Sequence, residues 1–505
     1  MINQTNENMK RGSAFILSFL IGCVGNAQSH DQIWPQFRGI NGSGVAVETS
    51  KPPIFFEDSN LLWKTGLPQG VASPVIWKDK LFVTGFVERD KELQTICINR
   101  IDGKLLWINI VKPDTIEKFS AAIGSPAQST LTTDGERVVA YFGSCGFYCY
   151  DMQGKLQWKY PMACNKGTYG SATSPVIAGD KLIYICDVGS IRYLFALNKK
   201  DGSKIWKTSL PDPSVQSNTG GHSAPCIFND KIYVHHLGSV SCFSIKDGSL
   251  LSRYQINTEG VSSPIIVGNK VVTACWFNFS EADQRGNLPS YDELVKNWDK
   301  DQNGKISKAE FPDDMILCQR PEIKESEGGA PAKVKSLWGR YFDQNKDGEI
   351  VREEWNASLE WVKSFYKPSG LVAINLASRG ELSDSSLLWR VEDNIPEVPS
   401  PIFFYNRIYM IKDGGTLTCV NPESGKVIYT TRIGNPGPYI ASPVAANGFI
   451  YVISYTGRMK VIKAVDSFAI AGQYDFKESI GATPAVIGNT IYIRTKTQLL
   501  AYYNK

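Results

Sequence analysis

The sequence predicts an all-β, eight-bladed β-propeller, closed by pairing of N- and C-terminal strands and interrupted by an inserted α-helical domain. Three observations predict it. A small residue followed by proline recurs ahead of short alternating strands. A turn motif ending in an aromatic residue trails most of these strands. One interval between repeats exceeds the others by about two blade lengths.

The prolines stand in Ser73-Pro74, Ser125-Pro126, Ser174-Pro175, Ala224-Pro225, Ser263-Pro264, Ser400-Pro401, Ser442-Pro443 and Thr483-Pro484. Their spacings are 52, 49, 50, 39, 137, 42 and 41 residues. With an insertion placed in the long gap, the mean period is about 46, the range of propeller blades. Alternating apolar runs such as 181–185, 231–234 and 449–452 follow, the signature of half-buried strands.

The second motif is A-x-[ND]-x-x-[DTS]-G-x-x-x-W. Ala196, Asn198, Asp201, Gly202 and Trp206 define it, and Cys97, Asn99, Asp102, Gly103 and Trp107 repeat it. Cys149, Asp151, Gly154 and Trp158 repeat it one residue shorter. Cys419, Asn421, Ser424, Gly425 and Tyr429 replace the tryptophan, and Cys242, Ser244, Asp247, Gly248 and Ser252 lose the aromatic. The glycine makes a tight turn between the third and fourth strands, and the indole is expected to pack between blades. Cys97, Cys149, Cys242 and Cys419 then share one small buried position with Ala196, Ala373, Ala464 and Ala501. Although the 11 cysteines sit in a chain that reads as exported, this pattern points to packing rather than a disulfide framework.

At the ends, Leu61, Leu62 and Trp63 look like a fourth strand lacking its first three, and residues 482–504 look like three strands lacking a fourth. Pairing the two would leave no open sheet edge. The predicted organisation is a signal over 1–27, propeller over 28–277, an insert over 278–367 and propeller again over 368–505.

The signal has Lys10 and Arg11 before an apolar run, Ser13 to Cys23, too short to span a bilayer, and small residues ending at Ala27. Cleavage near Ala27 is one reading. Leu20, Ile21, Gly22 and Cys23 also resemble a lipobox, which would make Cys23 a lipid anchor. No other stretch reads as a membrane span. With 54 Lys and Arg against 50 Asp and Glu, the net charge of +4 excludes nucleic-acid binding by bulk charge. An aromatic content of 11% excludes a solvated, disordered chain.

The insert carries the sharpest chemistry. Asp299, Asp301, Asn303, Lys305, Ser307 and Glu310 occupy positions 1, 3, 5, 7, 9 and 12 of one twelve-residue loop. Asp343, Asn345, Asp347, Glu349 and Glu354 occupy positions 1, 3, 5, 7 and 12 of a second. Gly304 and Gly348 stand at position 6. This is the pattern of the EF-hand calcium loop: side-chain oxygens early, a sharp glycine turn, a backbone carbonyl at position 7 and a bidentate glutamate last. Ile306 and Ile350 at position 8 would let the loops pair. Val351 cannot ligate by side chain at position 9, so water is expected there. Apolar residues at helical spacing flank both loops, Pro312 is expected to shorten or kink the first exiting helix, and Cys318–Lys333 reads as a mobile linker. A dockerin-like module also uses paired loops, but Glu at position 12 and apolar entering helices favour an EF-hand pair.

The repeats resemble the PQQ-repeat β-propeller family, which includes quinoprotein dehydrogenases and BamB-type assembly lipoproteins. Trp34, Pro35, Gln36, Phe37, Arg38 and Gly39 resemble the WPQ[WF]RG lead-in of exported members. The resemblance covers 34–277 and 368–505 and is specific for fold, weak for function. It implies either a non-enzymatic, calcium-binding scaffold that takes a protein or small-molecule ligand on a propeller face, or a PQQ- and calcium-dependent dehydrogenase of alcohols or sugars with an atypical site. The scaffold is the favoured expectation, as an exported monomer, periplasmic, outer-membrane-associated or extracellular in a bacterium.

Family dehydrogenases often use adjacent cysteines and hold calcium beside the quinone with carboxylate and amide groups. Here no two cysteines are adjacent; Cys145 and Cys149 come nearest. Asp187 and Asp413 lie near strand ends and read as turn or solvent residues. The only histidines are His30, His222, His235 and His236. In a strand, His235 and His236 would point to opposite faces, in structural roles. No catalytic or quinone-binding residue is assigned.

Overall fold

A computed structural model describes residues 32–189, 191–213, 220–278, 280–327 and 329–505. The signal, Cys23 and His30 lie outside them. Among the described residues, eight sheets of four or five strands, antiparallel but for one added edge strand, follow one another around a ring, an eight-bladed β-propeller. The second blade is representative: Thr132–Thr133, Arg137–Phe142, Gly146–Asp151 and Leu156–Pro161 pair in chain order. The second strand of a blade is buried on both faces, as in Lys181–Val188, whereas the outermost alternates, as in Lys204–Ser209. This gradient explains why the inner strands read as continuous apolar runs.

Three strands of the last sheet lie at 485–487, 490–494 and 498–503. Its outer strand is Leu61–Gly66, paired antiparallel with Gln498–Tyr503 from Leu61↔Tyr502 to Gly66↔Gln498.

The tryptophan motif joins neighbouring blades. Trp63, Trp107, Trp158, Trp206 and Trp389 each lie against the glycine of the next blade's turn: Gly103, Gly154, Gly202, Gly248 and Gly425. A Cβ on any of these glycines would come within 2.5–2.8 Å of the indole. Each indole N–H donates to a carbonyl of the same turn, as Trp158 does to Lys199 O at 3.0 Å and Trp206 to Ile245 O at 3.2 Å. The fourth blade has Ser252 in place of the aromatic. There Gly380–Leu382, from the fifth blade, adds a parallel fifth strand, with Gly380 opposite Ser252.

The small buried position is occupied as expected in seven blades. In the seventh blade the strand register gives it to Val461, opposite Tyr451, and not to Ala464. All ten described cysteines are unpaired. Burial pushes the thiols of Cys97 and Cys149 up to about 12, so both stay protonated and serve as packing.

The lead-in is a strap rather than a tail. Ile33–Trp34 pairs with the first blade, Pro35 O accepts from Thr133 N of the second, and Ala46 N donates to Ala445 O of the seventh. Arg38 is fully buried and donates to Pro401 O of the sixth at 2.6 Å. Burial lowers its guanidinium to about 9, still charged at neutral pH.

The chain leaves the fifth sheet after Cys275 and returns at Gly370. The intervening segment has its own core, in which Leu294, Phe311, Trp338, Phe342 and Trp355 pack together. Its helices are fewer than the apolar spacing predicts. Tyr291–Trp298 and Arg352–Lys363 are α-helical. The segment entering the second loop is a 3₁₀ turn, Val334–Leu337, followed by a π turn, Trp338–Phe342. No helix leaves the first loop. Pro312 stands two residues after Glu310, where its ring and missing N–H stop a helix before one turn is complete. No helix among the described residues is long and apolar enough to cross a membrane.

Candidate functional site

The residue two places before each first strand lines the central pocket, and these residues bond to one another. Ser73 N donates to Thr130 Oγ1 (3.0 Å), and Thr130 N to Ser174 Oγ (3.1 Å). Ala224 N donates to Ser263 Oγ (2.9 Å), Ser263 N to Ser400 Oγ (2.9 Å) and Ser400 N to Ser442 Oγ (3.0 Å). Ser442 N donates to Thr483 Oγ1 and Thr483 N to Ser73 Oγ, both at 3.0 Å. Ala224, with no hydroxyl, leaves one gap. In the second blade this role belongs to Thr130, with Leu131 where the other blades have proline. Ser125-Pro126, which the spacing assigned to it, lies upstream.

Around this ring lies a pocket of about 1200 Å³, part of it open to solvent. Aliphatic side chains, among them Val71, Ile123, Val261 and Val398, share its lining with Tyr169, Trp276, Glu259 and Glu397. Trp276 is only 4% exposed. The Arg320 guanidinium lies over its ring, 5.5 Å from the centroid.

Arg320 comes from the insert, within the stretch expected to be a mobile linker. That stretch is docked instead. Ile316–Cys318 pairs with Ala332–Lys333, and Arg320 reaches the propeller to meet Glu397 and Asp413, each at 2.6 Å, with Glu322 beside it at 3.3 Å. Next to Asp413, Lys412 takes the insert's Glu281 at 2.7 Å, a pair buried on both sides. One strand end thus offers a cation and an anion to complementary partners on the two arms of the insert. The turn that follows must let the insert's backbone approach closely. At Gly414 (φ 75°), a Cβ would lie 2.0 Å from Glu322 O.

The reading of Asp187 as a turn or solvent residue is therefore corrected, while Asp413 does begin a turn, Asp413–Gly415, but a buried one. Asp413 is 5% exposed; burial raises its carboxyl to about 7 against the pull of Arg320. Asp187 is also buried, pairing with Arg192 at 2.5 Å and accepting from Leu237 N at 2.7 Å. Nor do His235 and His236 divide between inside and outside, because both faces of their strand are covered. His235 Nδ1 donates to Ser262 O (2.6 Å), its Nε2 meets Thr258 Oγ1 (2.7 Å), and His236 Nε2 meets Ser241 Oγ (2.8 Å). Burial depresses them to about 4 and about 3, so both are neutral structural residues.

The insert brings the first loop's carboxylates together: Asp299, Asp301 and Glu310 each place an oxygen within 4.8 Å of the others. Backbone N–H groups fold the loop inward. Gly304 N donates to Asp299 Oδ2 (2.9 Å), Lys305 N to Asn303 Oδ1 (2.7 Å), and Lys300 N to Glu310 Oε1 (2.9 Å). Donors from Ser307 and Lys300 hold the Glu310 carboxyl down to about 2.

The second loop repeats the wiring. Gly348 N donates to Asp343 Oδ2 (3.1 Å), Asp347 N to Asn345 Oδ1 (2.8 Å), Glu349 N to Asp347 Oδ1 (2.9 Å), and Gln344 N to Glu354 Oε1 (3.0 Å). The loops meet in a two-residue antiparallel bridge, Ile306↔Ile350 and Ser307↔Glu349, with Lys305 paired to Glu349 at 2.6 Å. Asp343 is 4% exposed, and its Oδ1 has no hydrogen-bond partner. Its Oδ2 also accepts from Trp338 Nε1 at 3.1 Å, a link that sequence spacing did not reveal.

Fold and site together define a PQQ-repeat propeller carrying an acidic two-loop insert. The chain belongs to the family described as outer membrane protein assembly factor BamB, whose model matches residues 54–274, 192–310 and 369–467. No curated protein matches it. Among solved structures it is similar to BamB from Moraxella catarrhalis (11% identity, TM-score 0.54, 88% of this chain and 97% of that one). It is also similar to a europium-containing methanol dehydrogenase (10%, TM-score 0.56, 94% and 98%). A third is the quinohemoprotein alcohol dehydrogenase ADHIIG from Pseudomonas putida HK5 (11%, TM-score 0.53, 94% and 80%). At these identities the likeness is one of fold, which assembly factors and dehydrogenases share.

Proposed function

We propose that this chain is an exported, non-enzymatic binding scaffold of the BamB type, closed by its terminal strand pair and carrying a calcium-holding EF-hand-like insert. The observation that carries the scaffold reading is the covered tryptophan. PQQ is a flat tricarboxylate that needs an open aromatic face and nearby cations. Trp276 has Arg320 on its ring, and Arg320 is already engaged by carboxylates. Glu259 and Glu397 add negative charge where an anionic quinone would sit. PQQ does not fit this pocket.

One observation favours the dehydrogenase reading: Glu259 and Asn278 put a carboxylate and an amide, the donor types that hold calcium beside a quinone, in the same pocket. The experiment that separates the two incubates purified protein with PQQ and calcium, then measures quinone absorbance and dye reduction with alcohols and aldose sugars. The scaffold reading expects neither. Stoichiometric quinone with turnover overturns it.

Calcium does fit the insert. Carboxylates converge in the first loop, and a buried, unpartnered oxygen of Asp343 waits in the second. Asp299, Asp301, Asn303 and Glu310 would hold one ion by side chain, and Asp343, Asn345, Asp347 and Glu354 the other, with Lys305 and Glu349 offering carbonyls. Bound there, calcium would neutralise loop charge and brace the insert. Calorimetry should show up to two sites, lost stepwise in Glu310→Gln and Glu354→Gln. Trp338, bonded to Asp343, gives an independent fluorescence readout. Wild-type protein without calcium heat refutes the assignment.

A further inference from the structure

We propose that Trp338 is a positioning residue for the second acidic loop: its indole N–H fixes Asp343 so that one carboxylate oxygen is left to a cation. This deepens the calcium reading of the insert and rests on it. Two observations carry it.

The first is how Asp343 is held. Its Oδ2 accepts two N–H groups, one from Gly348 inside the loop and one from Trp338 Nε1 outside it, both at 3.1 Å. Its Oδ1 is buried and has no hydrogen-bond partner. A buried carboxylate with one oxygen doubly engaged and the other unpaired carries a desolvation cost that a cation on Oδ1 relieves. Donors behind a metal ligand fix its rotation, and their loss weakens metal binding about 10–100-fold. Trp338 is itself held in place, being buried, with its ring edge-on to Phe311 at 5.2 Å.

The second is the backbone that brings the two residues together. Trp338–Phe342 is a π turn, closed by Asp343 N donating to Trp338 O at 3.0 Å. On an α-helix, residues three and four apart are neighbours, and residues five apart are not. The wider turn sets Trp338 beside the residue five places on. The first loop is entered differently. Asp299 N donates to Val295 O at 3.0 Å, an α-helical bond, and the residue five places before Asp299 is Leu294, buried and without a side-chain donor. The Asp299 carboxylate takes N–H groups from Asn303 and Gly304, both inside its own loop. The first loop is therefore wired by its own residues, whereas the second draws on a donor from outside. The π turn is what supplies that donor.

The test uses the full chain with one loop disabled at a time. Calcium calorimetry on Glu310→Gln reads the second loop, and on Glu354→Gln the first. Trp338→Phe keeps an aromatic ring and removes the donor. In the Glu310→Gln background it should weaken calcium binding about tenfold. In the Glu354→Gln background affinity should be unchanged, which also shows that the insert remains folded. The indole N–H signal of Trp338 in NMR spectra, assigned by its loss in Trp338→Phe, gives a second readout: calcium should shift it in Glu310→Gln protein. Three results overturn the positioning role and leave the calcium reading intact: second-loop affinity unchanged in Trp338→Phe, both loops weakened equally, or an indole signal that stays still while the second loop binds. Wild-type protein that takes up no calcium overturns the calcium reading and the role with it.

Discussion

Replacing Gly202 by alanine tests the mechanism that joins the blades. Two costs add at this position. The backbone is left-handed (φ 73°), which disfavours any Cβ by about 1–2 kcal/mol. The new Cβ would also stand 2.6 Å from Trp158 Cε3, so the indole must move. Trp158 is 7% exposed and bonded to Lys199 O. Displacing it costs about 1–3 kcal/mol in packing, and weakening its hydrogen bond about 1 kcal/mol more. The expected loss is about 3–6 kcal/mol, read as a shift of the urea midpoint at constant slope. Gly179 supplies the control, since it is also left-handed (φ 60°) but has nothing within 4 Å of its Cβ position. Gly179→Ala should cost only the backbone part, about 1–2 kcal/mol. In a Trp158→Ala background the cost of Gly202→Ala should fall to that same level. If Gly202→Ala and Gly179→Ala cost the same in the wild-type background, the indole does not rest on the glycine, and the account of the blade junction is wrong.

Three other perturbations probe the axis, the latch and a buried acid. Ala224→Ser supplies the hydroxyl missing from the axial ring and should stabilise the protein by about 1 kcal/mol in urea denaturation; a loss would contradict the ring. Arg320→Ala leaves Asp413 buried without its cation and should cost about 3 kcal/mol, with faster proteolysis around 318–333; Arg89→Ala, which breaks an exposed pair with Asp90, should cost less than about 0.5 kcal/mol. Glu117 is 2% exposed, accepts from Ser171 Oγ at 2.8 Å, and is raised by burial to about 8. Its native form therefore keeps a proton that the unfolded chain releases above pH ~4.5. The stability it contributes is full below that pH and is lost as pH rises through about 8, by about 1.4 kcal/mol per unit. Glu117→Gln should flatten this part of the stability profile between pH 5 and 8; an unchanged slope would mean that the carboxyl is ionised in the native state.

How much of this was legible follows from how often each signal is repeated. The tryptophan–glycine junction recurs in five blades, so its spacing could be read without any single instance being certain. The axial position recurs too, yet the second blade misled: Ser125-Pro126 mimics the motif, while Thr130-Leu131, without proline, carries the hydrogen bonds. Ala464 misled in the same way, since only strand register identifies Val461. The turns and internal hydrogen bonds of the two acidic loops were legible because they are set by residues close in sequence. Their flanking helices were less so, because apolar spacing does not distinguish an α-helix from the successive 3₁₀ and π turns at 334–342.

The docking of the insert was not legible, for a physical reason that also bears on function. It rests on single residues far apart in sequence: Glu281 with Lys412, Arg320 with Asp413 and Glu397, and Gly414 under Glu322. No period announces such contacts, and in the sequence Asp413 looks like any acidic turn residue. Yet they decide what the pocket can do. An aspartate at a strand end near the axis would, if open to solvent, be a candidate base. Here it is 5% exposed and held by a guanidinium that also covers the pocket's tryptophan. The same latch that ties the insert to the sixth blade therefore engages both the buried acid and a face of the pocket's tryptophan. What remains is an aliphatic-walled recess with Glu259 and Glu397 in its lining, the surface on which the proposed scaffold role rests.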